Sequence, residues 1–378
     1  MIARFIKQDL IKDLKPGHVT GLFGARRTGK TVLMKQISEE LGKIKVLFVQ
    51  GDNLDVSEVL SQPRLSTLKN FVKGYQYLFI DEAQKIPRIG QTLKLLVDAI
   101  PDIPVFITGS SALELAEKTG EPLTGRSNYF YLFPFTQSEL NQDYISTKET
   151  LPDKLVYGLY PQVNLARTDS EKNEILQSVK NGCLLKDILS MDNRKDALFI
   201  LNLLRLIAFQ IGNDISYNEL ASNLHVNKIT VQRYLNILEK AYVIFSLPGF
   251  SRNLRKEYSK TPRYYFWDNG IRNVIVNNFN PVNQREDIGK LWENYCISER
   301  LKTHYYSRQV ASYFYWRTYD QQEIDLIEEK GGFIAGYEFK WSKQGRKPPR
   351  AFTNAYKNAT VTTVNRDDYL NFITELLK

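Results

Sequence analysis

Cysteine is nearly missing from this chain: Cys183 and Cys296 are the only two among 378 residues. Thiols so far apart cannot supply the disulfide framework of a small secreted domain, and they read as buried thiols in a reducing compartment. Histidine is as scarce, at His18, His225 and His304, so no Cys/His spacing suited to zinc exists. No stretch of about 18 uncharged apolar residues occurs, which excludes a membrane-spanning helix, and no membrane partner is expected. The first nine residues alternate apolar and charged side chains and lack the apolar core of a secretory signal. A cytoplasmic protein is expected, in which the Asn358-Ala359-Thr360 sequon has no glycosylation meaning. Repeats and low-complexity tracts are absent too.

What the chain does have is bulk and positive charge. With 43% hydrophobic and 12% aromatic residues it can fill real cores. Its length suits two or three domains of about 100–200 residues each. The excess of nine positive charges suggests contact with a polyanion, although many basic proteins touch no nucleic acid.

Up to about Gln137, short apolar runs alternate with amphipathic segments of helical length, the pattern of a parallel sheet flanked by helices. Strands are expected over residues 19–23, 46–49, 77–80, 105–108 and 129–133. The polar, charge-mixed stretch 141–153 reads as a linker, with helical segments beyond it to about Met191. Residues 198–209 form an apolar-periodic helix. Ser216-Tyr217-Asn218-Glu219 is a capping box opening a second helix, and Asn227 caps a third that runs to Lys240. Strands expected over 242–247 and 263–267 complete a winged helix-turn-helix. After Asp287 a helix leads into aromatic-rich strands over 313–316, 324–327 and 334–339, a separate α+β domain.

Chemistry concentrates in the first region. Gly24-Ala25-Arg26-Arg27-Thr28-Gly29-Lys30-Thr31 follows a strand and opens a helix, the context a phosphate-binding loop needs. Its glycines let backbone amides curl around phosphate oxygens, and the helix N-terminus, through Val32, adds a positive dipole. Lys30 is expected to reach the β- and γ-phosphates of ATP, and Thr31 to ligate Mg²⁺. The strand Tyr77-Leu78-Phe79-Ile80 ends in Asp81-Glu82, at the sheet edge where ligands of open α/β folds bind. Asp81 would hold the magnesium and Glu82 would polarise the attacking water, so the pair implies hydrolysis. A γ-phosphate-sensing hydroxyl is expected in Ile107-Thr108-Gly109-Ser110-Ser111, with Ser110 the first choice and Thr108 a core alternative. Arg26 and Arg27 could equally contact phosphate or be solvated.

These residues, with Asp81-Glu82-Ala83-Gln84, Gly109-Ser110-Ser111, Gly125-Arg126 and Pro134, resemble a known group. So do Ser251-Arg252-Asn253-Leu254, Phe266-Trp267-Asp268-Asn269-Gly270, Trp292-Glu293-Asn294, and Tyr315-Trp316-Arg317 before Glu323-Ile324-Asp325. The group is the prokaryotic AAA+ family ATPases with a C-terminal domain long called a domain of unknown function. The resemblance covers nearly the whole chain. It implies an α/β AAA+ P-loop ATPase core over residues 1–140 and a helical linker or lid over 141–195. A winged helix-turn-helix over 196–280 and an α+β, restriction-endonuclease-like PD-(D/E)xK domain over 281–378 complete the implied order. Asn269 stands where Thr or Ser is usual. Arg126 lies where such ATPases place an arginine finger, which would act within a homo-oligomer; a surface salt bridge is the alternative.

Asp325 and Glu338-Phe339-Lys340 match the D…E-x-K pattern of restriction-type nucleases, and Glu293 matches an acid many of them carry on the preceding helix. If Gly331-Gly332 closes a two-residue hairpin, Asp325 faces Glu338 and Glu323 faces Lys340, all on one sheet face. Opposed carboxylates there would be relieved by Mg²⁺ or Mn²⁺, with Lys340 polarising water. A solvated face or an inactive, DNA-gripping relic of the fold is the competing reading. In the helix-turn-helix, Asn227, Lys228, Thr230, Gln232 and Arg233 suit phosphates and base edges. Two basic segments, residues 252–263 and 340–350, add a phosphate-tracking surface. DNA is thus the expected partner of an ATP-hydrolysing machine, and an ATP-gated winged-helix regulator or protein-interaction switch is the alternative.

Overall fold

The computed structural model describes residues 2–110, 123, 125–184, 197–251, 261–318, 320–342 and 348–374. Ser111, residues 185–196, the 252–260 part of the first basic segment (Arg252, Arg255, Lys256, Lys260), and Lys343, Arg346 and Lys347 lie outside the described residues. The chain divides into two compact units, Met1–Phe133 and Pro134–Lys378.

The first unit is an α/β layer structure on a five-stranded parallel sheet. Its strands β1 (Val19–Phe23), β2 (Val46–Gln50), β3 (Tyr77–Asp81), β4 (Val105–Gly109) and β5 (Ser127–Tyr131) stand in the order β2-β3-β4-β1-β5. Both β1 and β4 are buried at every position, as strands covered on two faces require. Helices α1 (Lys7–Asp13), α2 (Lys30–Glu40), α3 (Leu54–Leu60), α4 (Leu65–Phe71) and α5 (Ile89–Ala99) accompany the sheet. Phe23, Phe79 and Phe106 are fully buried, and the last two meet edge to face at 5.1 Å. The fifth strand begins and ends two residues earlier than sequence patterning suggests. It pairs with β1 from Val19↔Ser127 to Phe23↔Tyr131, so β1 is used up before Leu132.

In the second unit the stretch expected as a linker is helical. Helix α6 (Tyr144–Tyr157) starts at Asp143, whose carboxylate accepts the Ser146 N–H at 2.9 Å. Leu151, Leu155, Val156 and Tyr157 are buried along it, and a charged outer face had masked that stripe in the sequence. Helices α7 (Pro161–Leu165), α8 (Asp169–Val179), α9 (Ala197–Phe209), α10 (Tyr217–Asn223) and α11 (Lys228–Lys240) follow, then an antiparallel pair, β6 (Ile244–Leu247) and β7 (Arg263–Phe266). Helix α12 (Asn269–Val276) and the 19-residue α13 (Ile288–Tyr306) lead to a second sheet. That sheet holds β8 (Ser312–Arg317), β9 (Glu323–Lys330), β10 (Phe333–Phe339) and β11 (Thr360–Val364) in the order β11-β10-β9-β8, with helices α14 (Arg350–Ala355) and α15 (Tyr369–Thr374).

Within the second unit, hydrogen bonds cross the borders expected at 195 and 280. The buried Asp268 carboxylate accepts the N–H of Leu159 at 2.6 Å and of Ile271 at 3.2 Å. Gly158 and Gly270 hug this contact: a Cβ at Gly158 would overlap the Asp268 carboxylate, and one at Gly270 the Tyr157 carbonyl. The Asn273 amide donates to the carbonyls of Leu155 (3.0 Å) and Val156 (2.8 Å). From α13, Asn294 bonds both the N–H (2.7 Å) and the carbonyl (3.0 Å) of Phe266, as another strand would. Asn269 donates to the Leu291 carbonyl and accepts from Asn294, so both ends of its amide are engaged.

Candidate functional site

At the carboxyl end of the parallel sheet the chain turns sharply out of β1. Gly24 has φ +143°, and a Cβ there would overlap the Leu132 carbonyl. Arg27 (φ +63°) and Gly29 (φ +100°) are also left-handed, which bends residues 24–29 into a cradle ahead of α2. Arg4 ties it from outside, donating to the Thr28 carbonyl at 3.0 Å while its other nitrogen donates to the Phe133 carbonyl at 2.7 Å. The Thr28 hydroxyl closes the turn on the Ala25 carbonyl at 2.8 Å. Lys30 lies buried inside the cradle, its Nζ donating to the carbonyls of Gly24 (2.8 Å) and Ala25 (2.9 Å). An ammonium held there fits a phosphate-binding role without rearrangement of the helix.

The neighbouring strand end supplies the acids. Asp81 is buried and takes a hydroxyl on each oxygen, Thr31 on Oδ2 at 2.8 Å and Thr108 on Oδ1. Thr31 and Asp81 are thus side by side, the donor set a hard divalent cation takes with phosphate oxygens and water. Glu82 follows in the left-handed region (φ +54°), its N–H donating to the Thr108 hydroxyl at 3.1 Å. Its carboxylate accepts from the Gln84 amide at 2.7 Å, and the same amide nitrogen donates to Ser110 at 3.3 Å. The structure therefore gathers Lys30, Thr31, Asp81, Glu82, Thr108 and Ser110 at one sheet edge. Gln84 stands out in the sequence only as the last residue of the Asp81-Glu82-Ala83-Gln84 run, where no role attaches to it. Arg126, 51% exposed, is ion-paired with Asp98 of its own unit, the salt-bridge alternative for this residue.

The C-terminal hairpin departs from expectation. Its turn does fall at Gly331-Gly332 (φ +56° and +86°), between Lys330 and its partner Phe333. The alternation beyond it does not hold. Against β8 the register slips between Phe314, opposite Ile327, and Trp316, opposite Ile324. Ile324 and Ile327, three residues apart, consequently share one face and one core with Trp316, Ile334 and Phe352. The extra residue is a bulge at Asp325-Leu326 that sends both side chains to the other face. A Cβ on Gly336 would touch Ile324 and Ile327, so Gly336 and, two residues on, Glu338 belong to the Ile324 face. Tyr337 and Phe339 pack on Phe372 across the sheet. The register slip thus breaks the direct opposition of Asp325 and Glu338 that the ideal hairpin required. Nor does Glu323 face Lys340 as a pair; it is bonded to Arg263 at 3.0 Å. Among the described residues no group of three or more His, Cys, Asp or Glu is placed to hold a metal ion.

Asp325 instead turns inward, accepting the Phe339 N–H at 2.8 Å. Burial pushes its carboxyl up, with Lys340 pulling the other way. Glu293, also buried, accepts from the Tyr265 hydroxyl at 2.8 Å and from Lys290 at 3.2 Å. Burial first, then the charge of Asp325, pushes Glu293 up to about 7. A carboxyl raised above its unfolded value carries a stability penalty above the folded pKa, relieved as pH falls through it. Glu293→Gln should therefore raise the unfolding free energy of the second unit at pH 8, by on the order of 1–3 kcal/mol. The gain should shrink at pH 5.5. A gain that does not change between these pH values, measured by denaturant titration, would contradict a buried, charged Glu293.

In the helix-turn-helix region the polar side chains divide into a cap, exposed groups and a buried arginine. Asn227 caps α11, its side-chain oxygen accepting from the Thr230 N–H (2.7 Å) and hydroxyl (2.9 Å). Lys228, Gln232 and Arg233 remain exposed, Arg233 lying over the Tyr234 ring, and Asn236 joins them one turn on. Arg263, counted within a basic surface segment, is buried between Asp214 (2.8 Å) and Glu323 and over the Tyr315 ring.

Residues 17–141 match a family model described as an AAA domain. Residues 148–282 and 288–373 match two models, each described as a domain of unknown function. An uncharacterized protein of Mycobacterium tuberculosis is 26% identical over 325 residues, 84% of this chain and 69% of the relative. Another, of Methanocaldococcus jannaschii, is 22% identical over 384 residues, covering 96% of this chain and 84% of the relative. Among solved structures, Thermotoga maritima RuvB aligns at TM-score 0.31 and 18% identity, over 65% of this chain and 90% of that one. Drosophila ORC bound to DNA aligns at TM-score 0.28 and 13% identity, over 72% and 93%.

Proposed function

With an AAA-type ATPase domain over residues 17–141 as the premise, we propose that the chain hydrolyses ATP at the Lys30–Thr31–Asp81–Glu82 site and engages duplex DNA through residues 216–240. One observation supports hydrolysis most: Thr31 and Asp81 are joined by a 2.8 Å hydrogen bond, with Glu82 held next to them at the carboxyl end of the sheet. Lys30 would neutralise the β- and γ-phosphates. Thr31 and Asp81 would hold Mg²⁺, which when bound offsets the charge of the transferring phosphoryl group. Glu82 would orient and deprotonate water, and Ser110 would meet the γ-phosphate. Arg126 would serve as a finger to a neighbouring copy only after leaving Asp98.

The exposed Lys228, Gln232 and Arg233 support a winged-helix reading of residues 197–266, with α11 against the duplex. The bulge at Asp325 gives DNA cleavage no support, so the C-terminal domain is read as a scaffold around the helix-turn-helix. Fluorescence anisotropy with a labelled duplex tests the DNA reading. Affinity should fall steeply between 50 and 200 mM salt, and Lys228→Ala should flatten the log–log slope by about 1. Weak binding that ignores salt would sink it. It would favour the second reading, a nucleotide-gated protein-interaction module, which Ile229 at 76% exposure on the start of α11 also suits.

A further inference from the structure

Gln84 touches neither phosphate nor metal in the scheme above, yet it is buried and its position is enforced from several sides. Glu82 reverses the chain straight after β3, and the short turn Ala83–Lys85 brings the Gln84 side chain back over it. The backbone of Glu82 is fixed by the Thr108 hydroxyl, and by Gly51, where a Cβ would stand 2.5 Å from the Glu82 carbonyl oxygen. Its carboxylate is then fixed by Gln84, whose Nε2 donates to Oε2 at 2.7 Å and to Ser110 Oγ at 3.3 Å. At Gly109 a Cβ would come 2.8 Å from Gln84 Oε1, so the strand carries a residue without one where the amide lies against it.

We propose that Gln84 is a positioning residue for ATP hydrolysis: its amide aims the Glu82 carboxylate and couples that aim to Ser110, the hydroxyl at the γ-phosphate end of β4. The proposal rests on Glu82 as the base. Removing the amide frees a carboxylate that must meet one water in one direction, and misplacement by about 1 Å can cost about 100-fold in rate. Ground-state nucleotide contacts, made by Lys30 and the loop amides, stay in place.

Phosphate release and binding of a fluorescent ATP analogue test this together. Gln84→Leu should lower kcat by about tenfold or more and leave analogue affinity within about twofold. Gln84→Asn, which keeps the amide one methylene short and guards against a folding defect, should fall between. Combining Gln84→Leu with Ser110→Ala should cost less than the product of the single losses, because both break one link. The control is Glu82→Gln: if it turns over at the wild-type rate, the base assignment itself fails. With that control inactive, an unchanged kcat in Gln84→Leu, equal losses of kcat and affinity, or strictly additive losses with Ser110→Ala would each overturn the proposal.

Discussion

Glu82→Gln is expected to keep ATP bound and to stop its turnover, lowering kcat by about 100- to 10,000-fold, the usual share of a positioned general base. The amide is isosteric with the carboxylate, so the contacts from Gln84 and Thr108 to this turn largely survive, but it cannot accept a proton from water. Lys30→Ala should behave differently. It removes the charge that the cradle carbonyls of Gly24 and Ala25 hold in place, and binding itself should be lost. Equilibrium binding and steady-state phosphate release separate the two outcomes. If Glu82→Gln loses binding together with turnover, the residue is shaping the turn and not activating water.

Asp268→Ala should be the most damaging single change outside the ATPase unit. It strips the acceptor from the N–H groups of Leu159 and Ile271, both buried, and removes the N-cap of α12. Each orphaned donor costs about 1–3 kcal/mol, so a loss of about 3–5 kcal/mol is expected. Burial pushes the Asp268 carboxyl up to about 6, against the pull of the Lys302 charge. Its ionised form is therefore the costly one in the folded unit, and the penalty eases as pH falls through 6. Denaturant unfolding of the second unit measures both. A loss below about 1 kcal/mol would mean that the two N–H groups find other partners.

The convergence of the candidate nucleotide-site residues was largely legible in the sequence, because each part announces itself locally. A glycine-flanked lysine, a buried strand ending in Asp81-Glu82 and a hydroxyl-bearing strand end need only parallel pairing to converge, and apolar runs specify that pairing. The C-terminal hairpin was legible in its turn and not in its faces. Strict alternation put Asp325 and Glu338 together, and a single bulged residue undid it, since strand period is two. One signal was present: Gly336, inside a strand, gives up its Cβ so that Ile324 and Ile327 can both approach. The motif residues Asp268, Asn269, Gly270 and Asn294 could suggest function by their unusual types, but their polar atoms bond backbone and one another. Asn227 carried two readings at once, cap and base reader, and its side-chain oxygen is taken by the cap of α11. The linker over 141–153 failed because its buried positions are spread among charges, and Lys154 is itself buried, bonded to Gln142 and Thr150 and lowered to about 8 by that burial.

The most direct measurement is phosphate release from ATP by the purified chain with Mg²⁺, with and without duplex DNA, using Lys30→Ala as the blank. Release by the wild type that vanishes in Lys30→Ala is the predicted result. Equal release by the two proteins, or none from a folded wild type under either condition, would contradict an ATPase built on this site.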